Sequence, residues 1–299
     1  MDIFETAQLE PVTRIPTPVS GIVGRALIED KQPILFEDVA DAWPWVRKWT
    51  FDYIASVAGE VIVSRPSDDG IYRYHQFGRM SFAEFAETLE TSKDVYMGLN
   101  PIYRDDQSPH APKELLALAA ELTIPDFIDS ARLHAAYLWI GPGGNNTLLH
   151  FDPWGSLLVV LEGRKRFALF PPDQTSNMYG YSVLDVKSLL QYKVLDSQIV
   201  PTDIDQDRYP RVAHAKGYDV TVEAGQAIYV PAGTWHYVES YDRNVAVNFF
   251  WRHSSVRESL SRPLIDWRIK ASMVDAKLAA VRFLRTYVIP KRGERAPTE

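Results

Sequence analysis

His150-Phe151-Asp152 places an imidazole and a carboxylate one residue apart. On a strand, residues i and i+2 share a face, so both side chains can reach one ion. A second histidine, His236, closes the segment from Pro231 through Gly233 and Trp235, at the end of a hairpin strand. If the strands bearing His150 and His236 pair, two imidazoles and one carboxylate occupy one face of an octahedron and leave the other positions open. That is the usual arrangement of non-haem Fe(II) oxygenases. The spacing alone carries little, because an isolated His-x-Asp is more readily a surface pair or a core histidine satisfied by a carboxylate. With no cysteine in the chain, disulfides, thiolate zinc sites and cysteine nucleophiles are excluded. Any metal must be held by histidine and carboxylate, a set that suits Fe(II), Mn, Ni or Zn.

The remaining histidines read as ordinary. His134 begins a strand without a partner at metal spacing, and His75, His110, His214 and His253 lie in polar or loop contexts. Composition narrows the function classes. The net charge of −7 gives no electrostatic footprint for a phosphate backbone, so DNA is not an expected partner; a modified nucleotide stays open as a substrate. The N-terminus lacks a basic region followed by an apolar run. No stretch of about 18 apolar residues predicts a membrane span, and the cytoplasm is the expected location. The aromatic fraction of 12%, with 8 Trp and 15 Tyr, suits thick cores and pocket walls.

The elements that must position these side chains follow from pattern. Pro11, Pro16 and Pro18 mark an extended arm, and Pro33-Ile34-Leu35-Phe36 reads as a strand. Thr50 caps a helix carrying Phe51, Ile54 and Val57. Ser81 to Glu84 is a capping box leading into Phe85 and Leu89. Residues 112–122 read as a further helix with Pro112 in its first turn. From about residue 132 the texture changes to short strands separated by Gly turns: 132–140, 156–161, 166–170, 219–222, 227–230, 237–240 and 245–251. Residues 173–210 look irregular and acidic. Apolar residues from Leu264 to Leu284 return at helical spacing. The expected division is an N-terminal arm with strands and helices (1–131), a β core (132–254) and a C-terminal helical segment (255–299).

Ordered along the chain, several blocks resemble the JmjC family, and within it the cupin-like hydroxylases, nearest in pattern to the asparaginyl-hydroxylase branch. They are Trp139 to Asp152 (WIGPGGNNTLLHFD), Gly163 to Gln174 (GRKRFALFPPDQ), Gly225 to Pro231, Trp235-His236, and Val247 to Trp251 (VNFFW). Upstream, Pro33 to Phe36, Ala42 to Pro44 and Trp49 to Phe51 resemble the family's helical front. The resemblance implies a mainly β fold, a double-stranded β-helix of the jelly-roll or cupin type, flanked by N-terminal and C-terminal helices. It implies Fe(II) held by His150, Asp152 and His236, with 2-oxoglutarate and O₂ as co-substrates. Lys165 matches the cation for the distal carboxylate, Thr147 and Tyr96 match hydroxyls beside it, and Asn248 matches a polar group near the keto-acid end. An ammonium inside a barrel is costly unless paired with an anion, which fits that role for Lys165.

The pattern departs from the asparaginyl-hydroxylase branch at Ser156, where that branch carries an Asn beside the co-substrate. It departs again at Gly98, where a Gln contacts peptide, and at Trp139, where the pocket wall is smaller. Asparagine hydroxylation is therefore not carried over. Gly98, Trp139, Trp154 and Trp235 are candidate substrate contacts, with core packing an equal account of the two tryptophans flanking the metal. The expected reaction is hydroxylation of a C–H bond of an amino-acid side chain in a protein or peptide. The rivals are hydroxylation of a free amino acid or natural-product intermediate, a non-oxidative cupin metal enzyme, and a small-molecule-binding module. In similar hydroxylases C-terminal helices form a dimer interface, so the resemblance also implies a homodimer.

Overall fold

The computed structural model describes residues 1–16, 31–66, 72–93, 95–104, 115–181 and 195–252, with single positions among 21–25 and 263–272. Two sheets face each other. Sheet I runs β1 (Gln8–Pro11), β12 (Lys216–Glu223), β11 (Arg164–Phe170), β14 (Trp235–Ser240) and β8 (Asn145–Asn146), and β9 (His150–Phe151) also pairs with β14. Sheet II runs β2 (Thr13–Pro16), β3 (Ile34–Glu37), β13 (Ala227–Val230), β10 (Gly155–Glu162), β15 (Asn244–Trp251), β7 (Leu133–Gly141) and β6 (Met97–Arg104). A separate hairpin joins β4 (Glu60–Pro66) to β5 (Tyr72–Ser81). This is the double-stranded β-helix the sequence implied, with few helices around it.

Alternation explains how the sheets close. Leu35, Val160, Ile228 and Val230 of sheet II meet Phe167, Leu169, Val220, Val222 and Val238 of sheet I in one buried cluster between them. The outer face of sheet I is covered by α1 (Ile3–Thr6) and by segments within 172–215, where Ile3, Phe170, Val212 and Trp235 pack together. Sheet II is covered on its outer face by the helical front. Trp45, Trp49, Phe51 and Phe85 pack there against Leu157, Val159, Val247 and Phe249. A strand covered on both faces should be apolar throughout rather than alternating, and all eight residues of β15 are buried.

The helical front consists of α2 (Trp45–Lys48), α3 (Phe51–Val57), α4 (Phe82–Thr91) and α5 (Leu116–Glu121). Both expected caps form: Thr50 Oγ1 accepts the Tyr53 N–H at 3.2 Å, and Ser81 Oγ accepts the Glu84 N–H at 3.2 Å. Each satisfies a backbone donor that the first helical turn cannot, an effect of about 1 kcal/mol. Helices α2, α3 and α5 are tied by one carboxylate. Glu121 accepts from Lys48 Nζ at 2.6 Å, Trp49 Nε1 at 2.9 Å and the Tyr53 hydroxyl at 2.5 Å. These donors, Lys48 first, hold its carboxyl down at about 2.

The arm at 11–18 is extended as expected where described, but it is built into the barrel: β1 lies parallel to β12 and β2 parallel to β3. Strands β4, β5 and β6 were not foreseen. Of the C-terminal helical tail, most lies outside the described residues; Leu264 is fully buried beside Ile3, Leu149 and Phe151.

Candidate metal centre

Strand β14 positions the first ligand. Its alternation sends His236, Val238 and Ser240 inward and turns Trp235 and Tyr237 to the outer cluster. Antiparallel pairing sets His236 directly opposite His150 on β9. The two rings lie 4.2 Å apart between centroids, at 55°. Strand β9 is only two residues long, but it is held on its other side as well: the Phe151 N–H donates to Leu195 O at 3.2 Å and the Ser197 N–H to Leu149 O at 2.8 Å. Asp152 follows, its backbone carbonyl accepting the Gly233 N–H at 2.8 Å.

The imidazoles are aimed by their inner nitrogens. His150 Nδ1 contacts Leu148 O at 2.8 Å, and His236 Nδ1 contacts Thr234 O at 3.0 Å. A carbonyl oxygen can only accept, so each contact assigns a proton to Nδ1, and a neutral ring so held keeps its lone pair on Nε2. His236 Nε2 lies 3.6 Å from Asp152 Oδ2, and the ligand atoms of His150, Asp152 and His236 all fall within 4.8 Å of one another. Metal bonds of about 2.1 Å would draw these atoms closer together. Burial, and then the neighbouring His150, hold His236 down at about 3, so it is neutral, as a ligand must be. Burial pushes the Asp152 carboxyl up, offset in part by His150; a cation there would remove that strain. The donor set and its pre-aimed lone pairs fit a divalent first-row metal.

The same strands carry the cation. Phe167 pairs with Val238 and Lys165 with Ser240, so Lys165 stands four residues along β14 from His236, roughly 13 Å of strand. The β10–β11 turn that delivers it needs glycine. Gly163 has φ +74°, and a Cβ there would fall 2.3 Å from Arg243 O. Lys165 is 3% exposed, and its Nζ donates to Ser240 Oγ at 2.7 Å. No carboxylate pairs with it among the described residues, and burial pulls its ammonium down to about 7.

His150, Asp152, His236 and Lys165 line one cavity of about 300 Å³ between the sheets. Tyr96, Thr147, Ser156, Asn248, Trp139 and Trp154 line it too. Sheet register orders these along its length. On sheet II, Ser156 pairs with Phe250, Leu158 with Asn248, and Val160 with Ala246, which also faces Trp139. The Ser156–Phe250 rank lies at the metal end, near Trp154. The Trp139–Ala246 rank lies at the Lys165 end, next to the β10–β11 turn. Trp154 stacks on His134 at 4.5 Å between centroids and meets Phe250 edge-on at 6.1 Å.

Two expected substrate contacts do not reach the cavity. Trp235 is turned to the outer cluster because it is the neighbour of inward-facing His236; its Nε1 donates to Thr175 Oγ1 at 3.1 Å. Gly98 is not in the lining; it sits under the Trp139 ring. Trp139 does line the cavity, but at the end away from the metal. Residues the sequence reading missed include Leu99, Tyr137, Leu158 and Phe250. Three of these follow from period two on the strands that carry Trp139, Ser156 and Asn248, whereas Leu99 carries no such signal.

Residues 21–257 match the family model of the cupin-like domain. The chain belongs to the cupin-like family, the JmjC fold of the two-histidine, one-carboxylate site. This cupin-like chain is 26% identical over 238 residues to lysine-specific demethylase JMJ30 of Arabidopsis thaliana, covering 76% of the chain and 51% of that protein. It is 27% identical over 236 residues to lysine-specific demethylase 8 of Xenopus tropicalis, covering 74% and 48%. Human tRNA wybutosine-synthesizing protein 5 is 26% identical over 243 residues, covering 76% and 73%. The chain thus spans about half the length of these two demethylases. No described helix is long and apolar enough to cross a membrane.

Proposed function

We propose that the chain is an Fe(II)- and 2-oxoglutarate-dependent oxygenase that hydroxylates a C–H bond, with an amino-acid side chain of a protein or peptide as prime substrate. The observation that carries this reading is Lys165: an ammonium buried in the same cavity as the His150, Asp152 and His236 cluster, with the Ser240 hydroxyl as its hydrogen-bond acceptor. A buried cation of this kind calls for an anion. A dicarboxylate lying along the cavity answers both ends, with the metal at one and the ammonium at the other. Iron, 2-oxoglutarate and O₂ together supply the oxidising power for C–H cleavage, with succinate and CO₂ released.

His150, Asp152 and His236 hold the iron and leave sites for co-substrate and O₂. Lys165 neutralises the distal carboxylate. Thr147 Oγ1 already accepts the Val238 N–H at 3.0 Å, so its hydroxyl hydrogen is directed to a second acceptor, the same carboxylate. Tyr96 lines that end with it. Asn248 Oδ1 is buried with no hydrogen-bond partner among the described residues; rotation of the amide presents either its carbonyl or its NH₂ to the keto-acid end, and Ser156 lies at the adjacent rank. Trp154 and Phe250 exclude water beside the metal. Asp152 has 22% of its side chain exposed against 9% for His236, which supports substrate entry from the Asp152 side.

The similarity to lysine-specific demethylases supports a protein substrate. N-demethylation would begin with the same hydrogen abstraction, from an N-methyl group. A tRNA substrate is opposed by the net charge of −7, since polyanions are held mainly by Lys and Arg. A homodimer through residues 255–299 is part of this reading, supported by the exposure of Ile265 and Ile269, 38% and 45%; a monomeric mass in light scattering removes it. The oxygenase itself is tested by anaerobic addition of Fe(II) and 2-oxoglutarate. A metal-to-ligand charge-transfer band is expected, followed in air by succinate and by a one-oxygen mass gain on substrate. Iron binding with no band and no succinate sinks the proposal.

A further inference from the structure

At the Lys165 end the cavity is lined by a device that the metal chemistry does not require. Strand β6 carries one extra residue between the pairs Met97–Ile140 and Asn100–Leu138. A bulge of this kind re-aims a side chain. Here it re-aims Leu99, which has φ +54°, a left-handed conformation that favours glycine over a branched side chain. The strained backbone is locked from both sides. Asn100, fully buried, donates from Nδ2 to Gly98 O at 3.2 Å. Gly98 leaves room for the Trp139 ring, whose Cζ3 would stand 3.0 Å from a Cβ placed there. Leu99 and Trp139 then pack with Tyr96 and Ala246 as one cluster, and both line the cavity. A strained left-handed residue held in place by its neighbours points to a function for the side chain it orients.

We infer that Leu99 and Trp139 form an end wall at the Lys165 end of the cavity that sets the chain length of the 2-oxo dicarboxylate, selecting five carbons over six. The inference rests on the oxygenase reading above. His236 and Lys165 sit at fixed registers on the same pair of strands, so the metal-to-ammonium span is set by sheet geometry. A sixth carbon must be taken up by the end wall, and a wall of indole and isobutyl pinned by a bulge cannot give way cheaply.

The test measures binding, not turnover. Protein loaded with Fe(II) without oxygen is titrated with 2-oxoglutarate and with its six-carbon homologue 2-oxoadipate, and the charge-transfer band is read. The wild type is expected to favour 2-oxoglutarate by roughly ten- to two-hundredfold, the range for one methylene against a packed pocket. Leu99→Gly suits the left-handed backbone and relieves it, so the variant is expected to fold; the preference should fall by about tenfold. Trp139→Leu, with thermal melting as the folding check, should lower it in the same direction. Equal binding of the two acids by wild type, or an unchanged ratio in a folded Leu99→Gly that still gives the band, overturns the end wall. A wild type that takes iron and binds neither acid overturns the oxygenase reading beneath it.

Discussion

Sheet I supplies the charge in this cavity and sheet II supplies its shape. His150, His236 and Lys165 stand on β9, β14 and β11 of sheet I, with Asp152 on the turn after β9. Sheet II contributes Tyr137, Trp139, Leu158 and Phe250, and its polar groups, Ser156 and Asn248, are neutral. The coverings differ in the same sense. Sheet II is braced by a helical front rich in tryptophan, while sheet I is covered by α1 and irregular segments. Ligand placement tolerates a short strand such as β9 because backbone carbonyls aim each imidazole individually. A cavity wall has no such local guide, and depends on the register of a whole sheet and on what presses it from behind.

The largest break in this division comes from sheet I. His236→Ala should weaken Fe(II) binding by more than about a hundredfold, above the 10–100-fold cost of outer-shell changes, as read by metal titration with the fold intact by circular dichroism. Lys165→Met comes next. Metal binding should survive, while 2-oxoglutarate affinity falls by about 2–5 kcal/mol, the cost of stranding a buried charge. The same substitution alters the pH profile of the metal-free protein. Lys165 is held at about 7 when folded against 10.5 otherwise. Between those values the unfolded chain binds the extra proton, so wild-type stability rises with pH across that window, by roughly a few kcal/mol at most. Urea midpoints that rise from pH 7 to 10 in wild type but not in Lys165→Met would establish this, and parallel profiles would refute it.

Sheet II should break differently. Phe250→Ala is expected to cost about 3–5 kcal/mol of stability, seen as a lower urea midpoint, with iron binding retained; loss of iron at a temperature where the protein stays folded would erase the distinction between the sheets. The smallest effect is at the brace. Glu121→Gln should cost about 1–2 kcal/mol. The group is held at about 2 when folded against 4.5 otherwise. Its contribution is therefore fully present above pH 4.5 and lost as pH falls through about 2. The difference between wild type and Glu121→Gln in acid denaturation should shrink across that window, and a constant difference would speak against the pairing with Lys48.

The same division decides what could be read beforehand. His150, Asp152, His236 and Lys165 sit in short motifs whose chemistry is local, and the structure gathers them in one cavity. Both helix caps, Thr50 and Ser81, were legible for the same reason. Leu99 was hidden because β6 carries Gly98, Pro101 and irregular register, features that argue against a strand in any window of sequence. Trp235 was a candidate contact because it flanks the metal site, with core packing an equal account; as the strand neighbour of inward-facing His236 it takes the opposite face and packs in the outer cluster. Trp139 was placed beside substrate; only the pairing with Ala246, and through β15 with Val160, shows which end of the cavity it occupies.

The opening sixteen residues do more than precede the barrel. Within one short stretch β1 completes the edge of sheet I on β12 and β2 completes the edge of sheet II on β3, both parallel. Val12, between the two strands, is buried in the cluster between the sheets. The segment acts as a single stitch through both halves of the barrel on one side. Trimming it would uncover two rows of backbone donors and acceptors at once, and such open edges recruit strands from other molecules. A shortened chain should therefore fail by self-association before its metal ligands are disturbed.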